Sequence, residues 1–368
     1  MVRNAQSPQR GMLGYARQAD SEYLAQLLYA GSPGRSGRLQ NVRALSICIA
    51  STTSSRSRKG NRVTAVRWSR LLRALGHRVR IEEQYKGGSC DVLIAMHARR
   101  SRPSIERFRR RYPERPLILA LTGTDLYNDI HSSAAAKRAL TEATRLVLLQ
   151  PLGIAEIPKK FRAGARVILQ SAERPEVKPK ARTTAFEVCV LGHLRPVKDP
   201  FRAAKAARLL PAASRIRILH VGGALSAGMK ARALSEERTN RRYRWVGELT
   251  RGKALRLMGR CRLLVLSSWM EGGANAISEA LAWGVPIIAS RIPGSVGLLG
   301  ADYPGYFRPG DTRGLAKLLS RAETDRRVYQ ALRAHCSKLA PRVRPRRERR
   351  AWARLLRELP SGRKAKMM

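Results

Sequence analysis

Glu271-Gly-Gly-Ala-Asn-Ala-Ile-Ser-Glu279 lies between an apolar run that ends in Leu266-Ser-Ser268 and a second, Gly284-Val-Pro-Ile-Ile-Ala-Ser290. The order reads strand, Gly-rich turn, helix, strand, which puts the turn at the C-terminal edge of a parallel sheet, where open α/β sheets bind ligands. Gly272 and Gly273 carry no Cβ, so the backbone can approach an anion. The N–H groups of a helix starting near Ala274 would point at that anion with the helix dipole behind them. A diphosphate meets this requirement. Glu271 and Glu279 suit hydroxyl pairs better than phosphate, so they are expected to face sugar or ribose. Taken alone, the segment is also compatible with a helix N-terminus that has acidic residues nearby and binds nothing.

Outward from that stretch, Phe186-Glu-Val-Cys-Val-Leu191 reads as another strand. It runs into Gly192-His-Leu-Arg195-Pro-Val-Lys198-Asp-Pro200, a turn bearing cations before a helix near Phe201. Arg195 and Lys198 would neutralise a diphosphate without a metal. The competing reading is plain surface charge, since the chain has 73 Lys and Arg against 26 Asp and Glu.

The EGGANAISEA segment with its Glu-x7-Glu spacing, Ser267-Ser268 before it, GVPIIAS after it, the GHLRPVKD turn and Trp245-Val-Gly247 together resemble the C-terminal half of a GT-B glycosyltransferase of the family-4 type. The resemblance implies an α/β protein of two Rossmann-like domains with a nucleotide-sugar cleft between them. It assigns Glu271 to the donor sugar, Glu279 to the ribose, Gly273, Ala274 and Asn275 to the diphosphate, and Lys198 with an arginine to the phosphates. In the family that arginine follows the glycine directly. Here His193 stands in its place and an arginine comes at 195, so His193 and Arg195 are both donor-site candidates.

Four further stretches narrow the resemblance: Arg58-Lys-Gly-Asn-Arg-Val-Thr-Ala65, Asp91-Val-Leu-Ile-Ala-Met-His97-Ala-Arg-Arg100, Leu121-Thr-Gly-Thr-Asp125-Leu-Tyr127 and Ser290-Arg-Ile-Pro-Gly-Ser-Val-Gly-Leu-Leu-Gly300. With the GHLRPVKDPF turn they are similar to the selenosugar synthases of selenoneine biosynthesis, over nearly the whole chain from about Ala44 to Leu359. That likeness implies transfer of a hexose unit from a UDP-sugar to the selenium of selenophosphate. The acceptor candidates are Lys59, Asn61, Arg62, Thr64 and Arg99, with Arg56 and Arg100 nearby; those cations follow predicted strands on one edge, where a small anion needs concentrated donors. His97, Asp125 and Glu271 are the candidates for catalytic work. An acceptor that is already anionic needs no strong base, so His97 reads as a positioning group, and Asp125 equally as a turn or helix cap.

From the residues themselves, Ala44 to Ala50 reads as a buried first strand, Ser51 to Asn61 as a polar loop and Val63 to Leu75 as a helix. Lys59-Gly60-Asn61 is not a phosphate-binding P-loop, which needs Gly-Lys-Ser/Thr in that order. The domain reading is a flexible extension over 1–42, an acceptor domain over 43–172, a Pro- and charge-rich linker over 173–185, a nucleotide-sugar domain over 186–340, and over 341–368 a helix crossing back to the first domain followed by a basic tail.

No run reaches the roughly 18 apolar residues of a membrane span. Five scattered cysteines form no CxxC pair and point to reduced thiols in the cytoplasm. No Asp-x-Asp is present, so neither a divalent metal nor another cofactor is implied. The net charge of +47 suggests nucleic acid or anionic lipid as partners. Yet the charge is spread over both halves with only five Phe, which suits neither base stacking nor a stable membrane contact. The alternative function is a GT-B enzyme that acts on a lipid or glycan hydroxyl at an anionic membrane surface.

Overall fold

The structure is a computed structural model that describes residues 43–54, 60–177, 179–181 and 184–360. Its strands form two sheets. The first joins β1 (Ser46–Ala50), β2 (Arg78–Glu82), β3 (Val92–Met96), β4 (Leu117–Leu121), β5 (Arg145–Leu148) and β6 (Ala165–Val167) in the order β2-β1-β3-β4-β5-β6. The second joins β7 (Phe186–Leu191), β8 (Ile216–Val221), β9 (Tyr243–Gly247), β10 (Leu263–Leu266), β11 (Ile287–Ser290) and β12 (Tyr306–Phe307) in the order β12-β11-β10-β7-β8-β9. All pairings are parallel.

Read from β9, the second order is the doubly wound 3-2-1-4-5-6, which reverses between β7 and β10; the first sheet reverses between β1 and β3. Ligands of such sheets sit at these switch points, outside the carboxyl ends of the strands. The loops leaving β3, β7 and β10 carry His97, the His193–Lys198 turn and Glu271, so the topology alone brings them to the two switch points.

Buried residues explain why these runs are strands. Ile47 and Ile49 pack on one face of the first sheet and Cys48 and Ala50 on the other, the period of two that a strand imposes. Helix α1 (Gly60–Arg73) covers the first of these faces with Ala65, Trp68 and Leu72. It starts three residues earlier than the apolar spacing predicts, at Gly60, so Asn61 and Arg62 stand in its first turn and not in a loop.

The second half of the chain contributes α2 (Asn275–Trp283) after β10, α3 (Pro293–Leu299) after β11 and α4 (Pro345–Arg357) near its end. The spacing of Glu348, Trp352, Leu355 and Leu356 puts them on one stripe of α4, and all four are buried. That stripe packs on the first sheet's core, with the Trp352 and Trp68 rings edge to face at 4.8 Å. The last helix therefore completes the first lobe, not the second.

The two residues that precede the Pro- and charge-rich linker are anchored. Ser171 and Ala172 are buried, the Ala172 N–H donates to Val343 O at 3.0 Å, and the Ser171 N–H donates to Glu348 Oε2 at 2.8 Å. All five cysteines are free and buried.

One buried histidine gives the fold a pH dependence. His220 on β8 is fully enclosed; its Nε2 lies 3.0 Å from Gly192 O and its Nδ1 3.1 Å from the Tyr243 hydroxyl. A neutral ring with Nε2–H donating to Gly192 and Nδ1 accepting from Tyr243 satisfies both contacts. Burial pushes its pKa down from 6.5 to about 4. Below pH 6.5 the unfolded chain binds a proton that the folded state refuses, so stability falls as pH drops through that window. We expect a loss of about 2 kcal/mol between pH 7 and pH 5 from this group. Urea midpoints at the two pH values, compared between the native chain and His220→Gln, measure it; an equal drop in both would show that His220 is not the source.

Candidate active site

Between the sheets lies a cavity of about 820 Å³, within the usual range for small-molecule sites. Its wall combines the ends of β7 and β10 and the start of α2 with the first turns of α1 and the loop after β3.

At the second sheet's switch point, Lys198 Nζ lies 2.5 Å from Glu271 Oε1, which also accepts from Ser268 Oγ at 2.6 Å. The Lys198 turn is pinned from below. Ser267 Oγ lies 3.2 Å from Lys198 O and 2.9 Å from Asp199 O, and the Trp269 N–H donates to Val197 O at 2.9 Å. Asp199 takes φ 44°, which turns the chain sharply out of this turn. The cation expected on the phosphates and the carboxylate expected on the sugar thus neutralise one another.

Glu279, one helical turn into α2, is buried and pairs with Arg251 Nη2 at 2.8 Å. Burial raises its pKa, opposed by Arg251 and Arg67. His193 accepts from the Gly223 N–H at 3.1 Å through Nδ1, so in the neutral ring Nε2 carries the proton and is a donor. His193, Arg195, Gly273 and Ala274 all line the cavity.

The glycines of the turn serve a purpose that the sequence does not reveal. A Cβ on Gly272 would stand 2.5 Å from the backbone of Thr122, and one on Gly273 would stand 2.4 Å from Leu149 Cβ. In α3, a Cβ on Gly297 would stand 2.1 Å from Gln150 Oε1. The space spared by the missing side chains is thus filled by the opposite lobe, while Gly272 and Gly273 themselves stand in the cavity wall. Asn275 also lines the cavity, and its side chain is held by the first lobe. Its Oδ1 accepts from Arg67 Nη1 at 2.9 Å and its Nδ2 lies 3.4 Å from Thr64 Oγ1, so the expected donor residue and the expected acceptor residue bond each other across the cleft.

In the first lobe, His97 lines the cavity with its backbone at φ 81°, a conformation that costs a non-glycine residue roughly 1–3 kcal/mol and is met mostly at functional sites. Its Nδ1 accepts from the Arg100 N–H at 3.4 Å; Nε2 lies 3.2 Å from Thr124 Oγ1 and 3.7 Å from Asp129 Oδ2. Burial lowers its pKa, so at neutral pH the ring is uncharged with its proton on Nε2. Neither nitrogen is placed as a free base, in keeping with positioning.

Asp125 does not reach the cavity. It is fully buried, with Oδ1 accepting from the Thr122 and Gly123 N–H groups and Oδ2 from the Ala98 N–H, at 2.8–3.0 Å. Its carboxylate is spent on shaping the loop beside His97 and is not part of the cavity wall. Arg99 is also outside: it is largely exposed and pairs with Asp129 at 3.1 Å. Asn61, Arg62, Thr64 and Arg100 do line the first-lobe wall, and Arg70 joins them. Lys59 and Arg56 lie outside the described residues. Sequence reasoning missed Arg67, Arg70 and Arg251. Arg70 stands about two helical turns along α1 from Arg62 and lines the same cavity, whereas nothing near Arg67 or Arg251 in sequence marks their pairings with Glu348 and Glu279.

Residues 172–342 match the family described as glycosyl transferases group 1. Among solved structures, Anabaena HepE in complex with UDP and glucose superposes with a TM-score of 0.66 at 16% identity, over 86% of this chain and 100% of that one. The fold is GT-B. Two other GT-B superpositions agree: sucrose-phosphate synthase from Thermosynechococcus elongatus, with a TM-score of 0.66 at 14% identity over 85% of this chain and 98% of that one, and a glycosyltransferase from Rickettsia africae, at 0.64 and 12% over 86% and 99%. A comparison with curated protein sequences finds no match. In GT-B terms, the β7–β12 lobe carries Lys198, Glu271 and Glu279, and the β1–β6 lobe faces it with His97 and the α1 cations. No helix among the described residues is long and apolar enough to cross a membrane.

Proposed function

We propose that this protein is a glycosyltransferase that moves a hexose unit from a UDP-sugar, UDP-N-acetylglucosamine or UDP-glucose, to selenophosphate and so forms a C–Se bond. The observation that carries the reading is the division of the cleft. On one wall Lys198, Glu271 and Glu279 surround the start of α2 at a nucleotide-binding switch point; on the other stand Arg62, Arg70 and Arg100. A diphosphate with sugar and ribose hydroxyls suits the first wall and a small anion the second. Solved structures of HepE with UDP and with UDP-glucose support the donor half.

In this reading the selenium attacks the anomeric carbon while the bond from that carbon to the β-phosphate oxygen breaks, and UDP leaves with the bonding pair. Lys198, Arg195 and the α2 N-terminus stabilise the charge that develops on UDP, which makes the reaction independent of a metal or cofactor. His97 orients the donor against the acceptor. Water then takes up the phosphoryl group from selenium, which releases inorganic phosphate and leaves the selenol of the selenosugar. Such chemistry belongs in the reducing cytoplasm.

The test is incubation of the purified protein with either UDP-sugar, with and without selenophosphate, followed by mass spectrometry of UDP and selenium-bearing products. Selenophosphate-dependent UDP release with a selenohexose product supports the reading. UDP-sugar binding that selenophosphate leaves unchanged would shift it to a hydroxyl acceptor, a reading favoured by the exposed Arg346, Arg347, Arg349, Arg350, Arg354 and Arg357 of α4, which suit anionic lipid. The wall assignment makes a separate prediction: Arg62→Ala raises the selenophosphate KM about tenfold and leaves the UDP-sugar KM within about twofold, by loss of one charge-assisted hydrogen bond. Equal changes in both constants would remove Arg62 from the acceptor wall.

A further inference from the structure

Arg67 has no role in the reading above, yet it is the most connected cation of the cleft. Its side chain is 12% exposed and belongs to α1, but each of its nitrogens serves a different segment. Nε donates to Glu348 Oε2 of α4 at 3.0 Å, and Nη1 to Asn275 Oδ1 at the start of α2 at 2.9 Å. Nη2 lies 3.1 Å from the amide oxygen of Gln170 in the orientation that satisfies that amide, whose nitrogen then donates to Gly273 O at 2.7 Å. Gln170 is buried and sits where the chain leaves the first lobe for the second. One guanidinium thus joins the first lobe, the crossover, the last helix and the donor-binding turn.

We propose that Arg67 is a positioning residue that, with Gln170, clasps the two lobes together and fixes the α2 N-terminus at its working distance from the acceptor wall. Only arginine suits this place. The planar fork offers donors in three directions at once, whereas a lysine ammonium is a point charge that cannot reach all three partners in the same geometry. Glu348 holds the fork in register through the rest of its contacts, accepting also from Trp68 Nε1 at 2.7 Å and from Ser171. The glycine seam at Gly272, Gly273 and Gly297 lets the lobes touch; Arg67 and Gln170 supply the directional bonds that say where. The functional consequence rests on the glycosyl-transfer reading, the clasp itself does not.

The test uses the full chain with fluorophores on two introduced cysteines, Glu114→Cys and Lys317→Cys, at exposed sites on opposite lobes; the native thiols are buried. Energy transfer reports the interlobe distance. With Arg67 intact we expect one narrow distribution; Arg67→Ala and Gln170→Ala should each broaden or lengthen it. Turnover of the UDP-sugar should fall about tenfold in each variant and little further in the double variant, because both cut the same clasp. The Kd for UDP alone should change less than about threefold in Arg67→Ala, and Arg67→Lys should recover only part of the turnover. A merely structural role would lower the unfolding midpoint without this split between turnover and UDP affinity. Unchanged distance distributions, or losses that add in the double variant, would overturn the clasp. If the native chain turns over no UDP-sugar, the glycosyl-transfer reading fails, and the distance measurement still decides the clasp. Should Arg67→Ala not fold, Gln170→Ala and Arg67→Lys carry both arms.

Discussion

Replacing Lys198 by alanine is expected to lower UDP-hexose turnover by about a thousandfold, the upper range for removing one preorganised donor from a developing oxyanion. Lys198 ends a short 3-10 turn, Pro196–Lys198, that Ser267 and the Trp269 N–H tie to the loop after β10. The backbone that carries the ammonium is therefore fixed, and Nζ lies 2.5 Å from Glu271 Oε1. Loss of the ammonium leaves the Glu271 carboxylate beside the donor with its countercharge gone, so the pair passes from neutral to a net negative charge next to the diphosphate. Lys198→Arg retains the cation and should recover about a tenth of the activity. The readout is kcat from UDP release, with UDP-sugar saturating. A loss under tenfold in the alanine variant would show that Arg195 or the helix terminus carries the departing charge instead.

The second large effect is on stability. Glu348→Ala should cost about 3–5 kcal/mol, the usual cost of stripping one partner from a buried ion pair. Glu348 is 2% exposed and faces Arg67, the Trp68 indole and Ser171 at once. Its removal leaves a guanidinium, an indole N–H and a backbone N–H without their acceptor. It also loosens α4, whose Trp352 closes the first lobe's core. Urea unfolding of the native chain and the variant at pH 7 measures the difference; a change below about 1 kcal/mol would mean that α4 is held by its apolar stripe alone.

How much of this was legible in the sequence differs from residue to residue. The Glu271–Glu279 turn and the 192–198 turn were readable because each is local: a strand pattern, a glycine and charged residues within ten positions fix both element and edge. The sheet orders then place them together without further information. The packing of Gly272 and Gly273 against the first lobe was not readable, since an anion and an opposing chain segment both ask for a missing Cβ, and only the positions of Thr122 and Leu149 reveal the second. Asp125 and Arg99 each follow a strand at the right edge, but a side chain at a strand end can turn under the loop or out to water as readily as into the cleft. Arg67 and Glu348 were out of reach altogether: they are 281 positions apart, and α1 and α4 each look like ordinary amphipathic helices in isolation.

The path of the chain has a practical consequence of its own. Since α4 packs with the first lobe, that lobe is built from two stretches of sequence with the whole second lobe inserted between them. Cutting the gene at the crossover near residue 180 therefore does not separate two modules: the first piece would expose the surface that Trp352, Leu355 and Leu356 cover, and the second would carry an orphan amphipathic helix. A circular permutant that opens at the crossover and runs from α4 directly toward β1 would make each lobe continuous for the first time, and is the arrangement from which the lobes of this protein can be exchanged with those of another.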